Sequence, residues 1–233
     1  MLIFDGHNDC LLRLHQSGVA EPERLFFSTE PHGHLDLARA RKGGFAGGFF
    51  AIYVPARKTA GGADAGMTSS TYNLALPAPL ERAYASEVTL AMAGILLRIA
   101  EQSQGEVVIV RSGAQLADTI AAGKIAAIFH IEGAEAIDPD LLMLDVLYEA
   151  GLRSIGPVWS RNNIFAHGVP FRYPSSPDIG DGLTELGKNL IRHCNRKRIL
   201  IDLSHLNEKG FWDVAALSTA PLVASHSNAH ALS

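Results

Sequence analysis

The sequence has little to cross-link it and nothing obvious to anchor it. Cys10 and Cys194 are the only cysteines in 233 residues. Two thiols cannot make a disulfide framework, and the usage fits a reducing compartment. No run approaches the roughly 18 apolar residues of a membrane span. The opening MLIFDGHND turns polar after four residues, which is too short for the apolar core of a secretory leader. A soluble, cytoplasmic protein with no membrane partner is the expectation. Positive charge is not in excess either. The formal net charge is −4, so nucleic acid is not an expected partner. Repeats and low-complexity tracts are also missing. What is present suits a folded core: 47% hydrophobic and 19% charged residues, in a length that fits one large domain or two small ones.

Short apolar runs alternate with stretches of helical period. Residues 2–4, 44–54, 107–110, 125–131, 153–159, 199–203 and 222–224 read as strands. Residues 83–104, 112–123, 141–149, 184–194 and 209–217 read as helices, with Ser112 and Gln115 spaced as a capping box. The glycines of the run 44–54 suggest close backbone packing. Residues 56–79 and 160–182 are long loops, a length that often serves as a lid or binding element. Strand then helix repeats along the whole chain, which predicts an α/β fold with a parallel sheet and covering helices.

The strand ends carry the chemistry. The first leads into His7-x-Asp9, the run 125–131 into Glu132, the run 199–203 into His205, and the run 222–224 into His226. Residues two apart on a strand share a face, so His7 and Asp9 are expected to reach one ion together. In a parallel α/β barrel the strand C-termini converge on a single mouth. A His-Asp pair, two further imidazoles and a carboxylate between them suit two ions, and two metals ~3.5–4 Å apart can share and deprotonate one water. Nitrogen and oxygen donors without thiolate suit zinc best, with manganese or cobalt as alternatives. An HxD pair alone is weak, and a lone histidine after a strand is more often simply packed. The weight lies in four strand ends that each put a ligand-type residue at the first polar position.

Other candidates have blander readings. His32 and His34 lie in a polar stretch read as an exposed helix start. His130 shares the face of Glu132, and either touches the site or is a satisfied interior histidine. Asp202 has the opposite phase to His205 and reads as a structural hydrogen-bonding group. Glu135 reads as a support for Glu132 or as solvated. Cys10 reads as a small buried residue, and His230 as solvent-facing.

The flanking residues add a resemblance. DGHND, IFHIEGAEAI, GLRSIGPVWSRNN, ILIDLSH and APLVASHSNAHAL together resemble the membrane (renal) dipeptidase family of zinc metallopeptidases. The motifs stand in order over essentially the whole chain. The resemblance implies a (β/α)₈ TIM-type barrel as a single metallo-hydrolase domain over residues 1–233, with about six of the eight strands present. It also implies two zinc ions per active site and hydrolysis of dipeptides, with tolerance for a D-residue on the C-terminal side. Carried over by position, His7 and Asp9 hold one zinc, His205 and His226 hold the other, and Glu132 bridges them. A metal-bridging hydroxide would then attack the scissile carbonyl. A homodimer is compatible with the family.

Two departures matter. Trp159 stands where many members have a histidine that steadies the oxyanion. His167, in the following loop, is a candidate substitute, and Trp159, Arg161 and Asn162 are candidates for substrate contact. The chain also stops at Ser233, after the sixth expected strand. Family members continue with strands seven and eight, an arginine for the substrate carboxylate and an aspartate that acts as general acid/base. The expectation is that 233 residues are not the whole functional unit. Another metal-dependent amidohydrolase, or a catalytically impaired peptide-binding member, are the alternatives. HxD in place of HxH, and Glu132 in place of a modified lysine, favour the dipeptidase.

Overall fold

In the computed structural model, which describes residues 1–29, 33–57 and 71–229, the apolar runs become strands and the periodic stretches helices. Among the described residues the strands are, in order, β1 (Ile3–Asn8), β2 (Phe45–Tyr53), β3 (Tyr72–Asn73), β4 (Val107–Ile109), β5 (Ile125–Glu132), β6 (Leu152–Gly156), β7 (Arg172–Tyr173) and β8 (Leu200–Ile201). The α-helices are α1 (Cys10–His15), α2 (Leu37–Gly43), α3 (Arg82–Gln102), α4 (Gly113–Ala121), α5 (Leu142–Ala150), α6 (Glu185–Lys197) and α7 (Glu208–Leu217). The main sheet has the hydrogen-bonded order β1-β2-β5-β6-β8, with β4 also on β5. β1 with β2 and β4 with β5 are parallel. This is the expected α/β class. Of the expected loop 56–79, residues 58–70 lie outside the described residues, as do His32 and His230. His34 is exposed ahead of α2, as its polar setting implies.

The chain forms two compact units. The first comprises residues 1–53, 86–131 and 144–154. β1 approaches β2 closely: a Cβ on Gly48 would lie 2.7 Å from the Asp5 Cβ, so only glycine fits there. Leu11, Leu14, Phe26, Phe50, Ile125 and Phe129 are fully buried in its core, each contributing about 1.5–3 kcal/mol relative to exposure. α3 turns Val88, Met92, Ile95, Leu96 and Ile99 into that core, the face its spacing predicts. By length and composition α3 is also apolar enough to cross a membrane, but its apolar stripe is spent on the core. Ser112 caps α4 by accepting from the Gln115 N–H at 3.1 Å. The Gln115 carbonyl accepts from the Arg111 N–H at 2.8 Å, one residue before the position a capping box requires.

The second unit comprises residues 54–85, 132–143 and 155–233. α6 buries Gly187, Leu190, Ile191 and Cys194 on one face, and Thr184 caps it by accepting from the Gly187 N–H at 3.0 Å. β3 and β7 form a small antiparallel ribbon with Tyr72 opposite Tyr173 and Asn73 opposite Arg172. Two expected strands are shorter than their apolar runs. The run 153–159 stops as β6 at Gly156, because Pro157 has no N–H to continue the ladder. The run 222–224 makes only one parallel bridge, Val223 to Asp202. Pro221 lacks a donor, and the Asp202 side chain takes the Ser225 N–H at 3.0 Å, so a side chain replaces the next rung.

Candidate metal centre

In the first unit, β1 runs through His7 to Asn8, whose carboxamide donates to the Asp5 carboxylate at 3.0 Å and to the Phe49 carbonyl at 3.1 Å. Those two bonds fix the strand end. Asp9 has already left the strand, at φ −96° and ψ 29°, and stands ahead of α1 without making a side-chain cap bond. Its carboxylate is therefore not consumed by the helix N-terminus. His7 Nε2 lies 3.7 Å from Asp9 Oδ1. Strand alternation is thus not what brings this pair together; the turn into α1 does. The His7 ring meets His130 edge-on at 6.0 Å. His130 is fully buried, with Nδ1 2.9 Å from the Ser154 hydroxyl, the satisfied interior histidine of the two sequence readings. Cys10 is buried too, and burial pushes its thiol up to about 11.

In the second unit, three donors meet. Glu132 ends β5 and is nearly buried. Its Oε1 lies 2.9 Å from His205 Nε2 and 3.2 Å from His226 Nε2. The two Nε2 atoms are 2.9 Å apart. Edges of this length are close to the ~3.3 Å between neighbouring donors of a tetrahedral ion with bonds of ~2.0–2.1 Å. The far nitrogens are occupied by hydroxyls: Ser160 Oγ lies 3.0 Å from His205 Nδ1, and Ser225 Oγ lies 2.8 Å from His226 Nδ1. Partners on Nδ1 fix ring orientation and leave Nε2 aimed inward, the usual support of a metal-binding histidine. The donor set therefore fits a divalent ion.

The backbone around these groups is built to hold them. His205 has φ 68°, a left-handed conformation that a residue other than glycine adopts only when its surroundings enforce it. Here the His205 carbonyl accepts from the Val169 N–H at 2.9 Å, and the Leu206 N–H donates to Leu203 at 3.2 Å. Asp202, nearly fully buried, accepts from the Ser204 N–H at 3.1 Å and from both the N–H and the hydroxyl of Ser225. Its structural reading holds, and through Ser225 it also reaches His226. Ser160 and Ser225 were not candidates from sequence. Ser225 has a local signal, since it adjoins His226. Ser160 has none, because its partner is 45 residues away.

The remaining sequence candidates fall in several settings. The Trp159 ring is 5.8 Å from the His205 ring and 5.6 Å from Phe171, so it borders the cluster. Arg161 is buried, paired with Glu135 at 3.2 Å and donating to the Val54 carbonyl at 3.1 Å, with its guanidinium 5.1 Å from the Trp159 ring. It lies in the interior, where a substrate contact would require it to leave its carboxylate. Glu135 is buried with it, which removes the solvated reading. Burial raises the Glu135 pKa, opposed by Arg161 and aided by Glu132. Asn162 accepts from the Gly168 N–H at 3.1 Å. His167 Nδ1 lies 3.3 Å from the Gly182 carbonyl, and its own carbonyl accepts from the Asn207 N–H. Both pin the loop that carries Trp159 and Val169 to the His205 turn.

Comparison with known proteins agrees with this chemistry. A metallo peptidase from Rhodobacter sphaeroides, solved with a phosphinate mimic of the dipeptide L-Ala-D-Ala, is 52% identical and superposes with a TM-score of 0.94, covering 99% of this chain and 66% of its own. The probable dipeptidase PvdM from Pseudomonas aeruginosa is 26% identical with a TM-score of 0.76, covering 100% of this chain and 54% of its own. An uncharacterized protein from the PQQ-III 3' region of Acinetobacter calcoaceticus is 39% identical over 99% of this chain and 71% of its own length. The chain thus spans roughly half to two thirds of the solved relatives. The family model for membrane dipeptidase, peptidase family M19, matches residues 1–233, and the chain belongs to that family.

Proposed function

We propose that this chain carries the metal centre of a zinc-dependent dipeptidase. The observation that carries the reading is the triangle of Glu132 Oε1, His205 Nε2 and His226 Nε2, with edges of 2.9, 3.2 and 2.9 Å. Nitrogen and oxygen donors without a thiolate suit zinc. In this reading His205 and His226 hold one ion, His7 and Asp9 hold a second, and Glu132 is shared between them. The sharing is supported by the strand itself: the His7 ring rests against His130, and His130 and Glu132 point to one face of β5 because they are two residues apart. When bound, two ions supply the hydrolytic chemistry, generating hydroxide from water near neutral pH to attack the scissile carbonyl and polarising that carbonyl.

The chain's own groups do the positioning. Ser160 and Ser225 orient the imidazoles, and Asp202 holds Ser225. The Trp159 ring walls the His205 side and gives a substrate residue a flat surface to rest on. The bond cut would be the peptide bond of a dipeptide, which the dipeptide mimic bound to the Rhodobacter sphaeroides peptidase supports. The test is zinc content together with turnover of a dipeptide panel, for wild type and Glu132→Gln. Bound zinc with turnover in the wild type, both lost or sharply reduced in Glu132→Gln, is the expected result. Wild-type protein that takes up no zinc under non-chelating conditions overturns the reading. Zinc uptake with tight dipeptide binding but no turnover would make it a binding protein.

A further inference from the structure

The second unit contains a cavity of about 350 Å³ into which His205 opens. That volume falls at the lower end of small-molecule sites and suits an amino-acid residue beside the metal donors. Its walls are mixed: Tyr72 and Phe171 are aromatic, Ser176 and Asn228 are neutral and polar, and Arg172 is a cation. No aspartate or glutamate lines it among the described residues. Arg172 is thus the one permanent charge of that wall, and it belongs to the β3–β7 ribbon. Its Nε donates to Asn73 Oδ1 at 2.7 Å across the ribbon, and among the described residues no carboxylate pairs with it. The guanidinium is a rigid fork of five N–H donors. With Nε held by Asn73, its plane is fixed and the two terminal amino groups remain to grip a planar anion. A cation oriented by a neighbour, without a protein counter-ion, beside a metal-donor histidine calls for an anionic group on the ligand.

We propose that Arg172 receives a carboxylate of the substrate residue seated in this cavity, with Asn73 as its positioning partner. The proposal rests on the dipeptidase reading above. The carboxylate has two sources, the C-terminal α-carboxylate of a short peptide or the side chain of an acidic residue. Binding is by charge-assisted hydrogen bonds and needs no covalent step.

The test uses the full chain loaded with zinc and reads binding by titration calorimetry. The probes are a phosphinate mimic of L-Ala-D-Ala, its C-terminal amide, and the analogous mimic ending in D-Glu. They are measured on wild type, Arg172→Ala, Arg172→Lys and Asn73→Ala. Loss of one charged hydrogen-bonding partner predicts roughly 10- to 100-fold weaker binding in Arg172→Ala. Arg172→Lys should recover part of it, because it keeps the charge and loses the fork. Asn73→Ala should weaken binding less. If the α-carboxylate is the source, the alanine acid weakens in Arg172→Ala while its amide, already weak on wild type, does not change. If the side chain is the source, only the D-Glu mimic weakens. Unchanged affinity of every probe in Arg172→Ala, against a wild type that binds them, overturns the proposal and leaves the dipeptidase reading standing. A zinc-loaded wild type that binds no probe and cleaves no dipeptide overturns both.

Discussion

The buried pair of Arg161 and Glu135 should respond asymmetrically to the removal of either partner. The two side chains are 1% and 2% exposed and meet at 3.2 Å. Removing one member of such a pair costs about 3–5 kcal/mol, because the other is left as an uncompensated buried charge. The two survivors differ in what they can do about it. In Glu135→Leu the guanidinium stays charged, since arginine does not deprotonate in this range. In Arg161→Met the carboxyl can take up a proton and become neutral. Its pKa is already raised from 4.5 by burial, with Arg161 as the chief opposing influence, so losing Arg161 raises it further. The sign follows. Above 4.5 and below the raised folded value, the folded state binds the proton more tightly than the unfolded chain, so stability falls as pH rises through that window. The penalty of Arg161→Met should therefore shrink on going from pH 8 to pH 5, while that of Glu135→Leu stays constant. For a chain of this size ~2–4 °C is lost per kcal/mol, so Glu135→Leu should melt about 6–20 °C below wild type. Thermal and urea unfolding of both variants, each compared with wild type at the same pH, is the assay. Equal and pH-independent penalties, or losses below about 1 kcal/mol for both, would refute the reasoning.

Two further outcomes are expected. Ser160→Ala removes the hydroxyl that holds His205 Nδ1 at 3.0 Å, and zinc affinity should fall by about 10-fold with little change in melting temperature of the metal-free protein. Competition with a chromophoric chelator measures it, and an unchanged affinity would show that the Nδ1 partner does not matter. Burial pushes the thiols of Cys10 and Cys194 up to about 11 and about 12, so the reactive thiolate is scarce at pH 8. Both should resist a disulfide reagent until the protein unfolds, and rapid labelling of the native protein would contradict their burial.

Much of this protein is local and therefore written in the sequence. Apolar runs such as 125–131 become strands because burial alone selects them. The helical period of residues 83–104 predicts which face of α3 is buried. Candidate metal donors stand out because each is the first polar residue after such a run. Glu132, His205 and His226 do come together as that pattern suggests. Two strand lengths were misjudged where prolines at 157 and 221 withhold an N–H, a local signal outweighed by hydrophobicity. The rest depends on residues that are far apart in the chain. The turn at Asp9, rather than strand alternation, sets it beside His7. Ser160 finds His205 across 45 residues, and Arg161 is drawn inside by Glu135 across 26. The sequence by itself determined the α/β class and the identity of the donors, because hydrophobic pattern and donor chemistry are properties of single short segments. Only the tertiary structure decided which hydroxyls orient the imidazoles and which arginine, Arg161 or Arg172, keeps a free edge, because long-range packing alone assigns each polar group its partner.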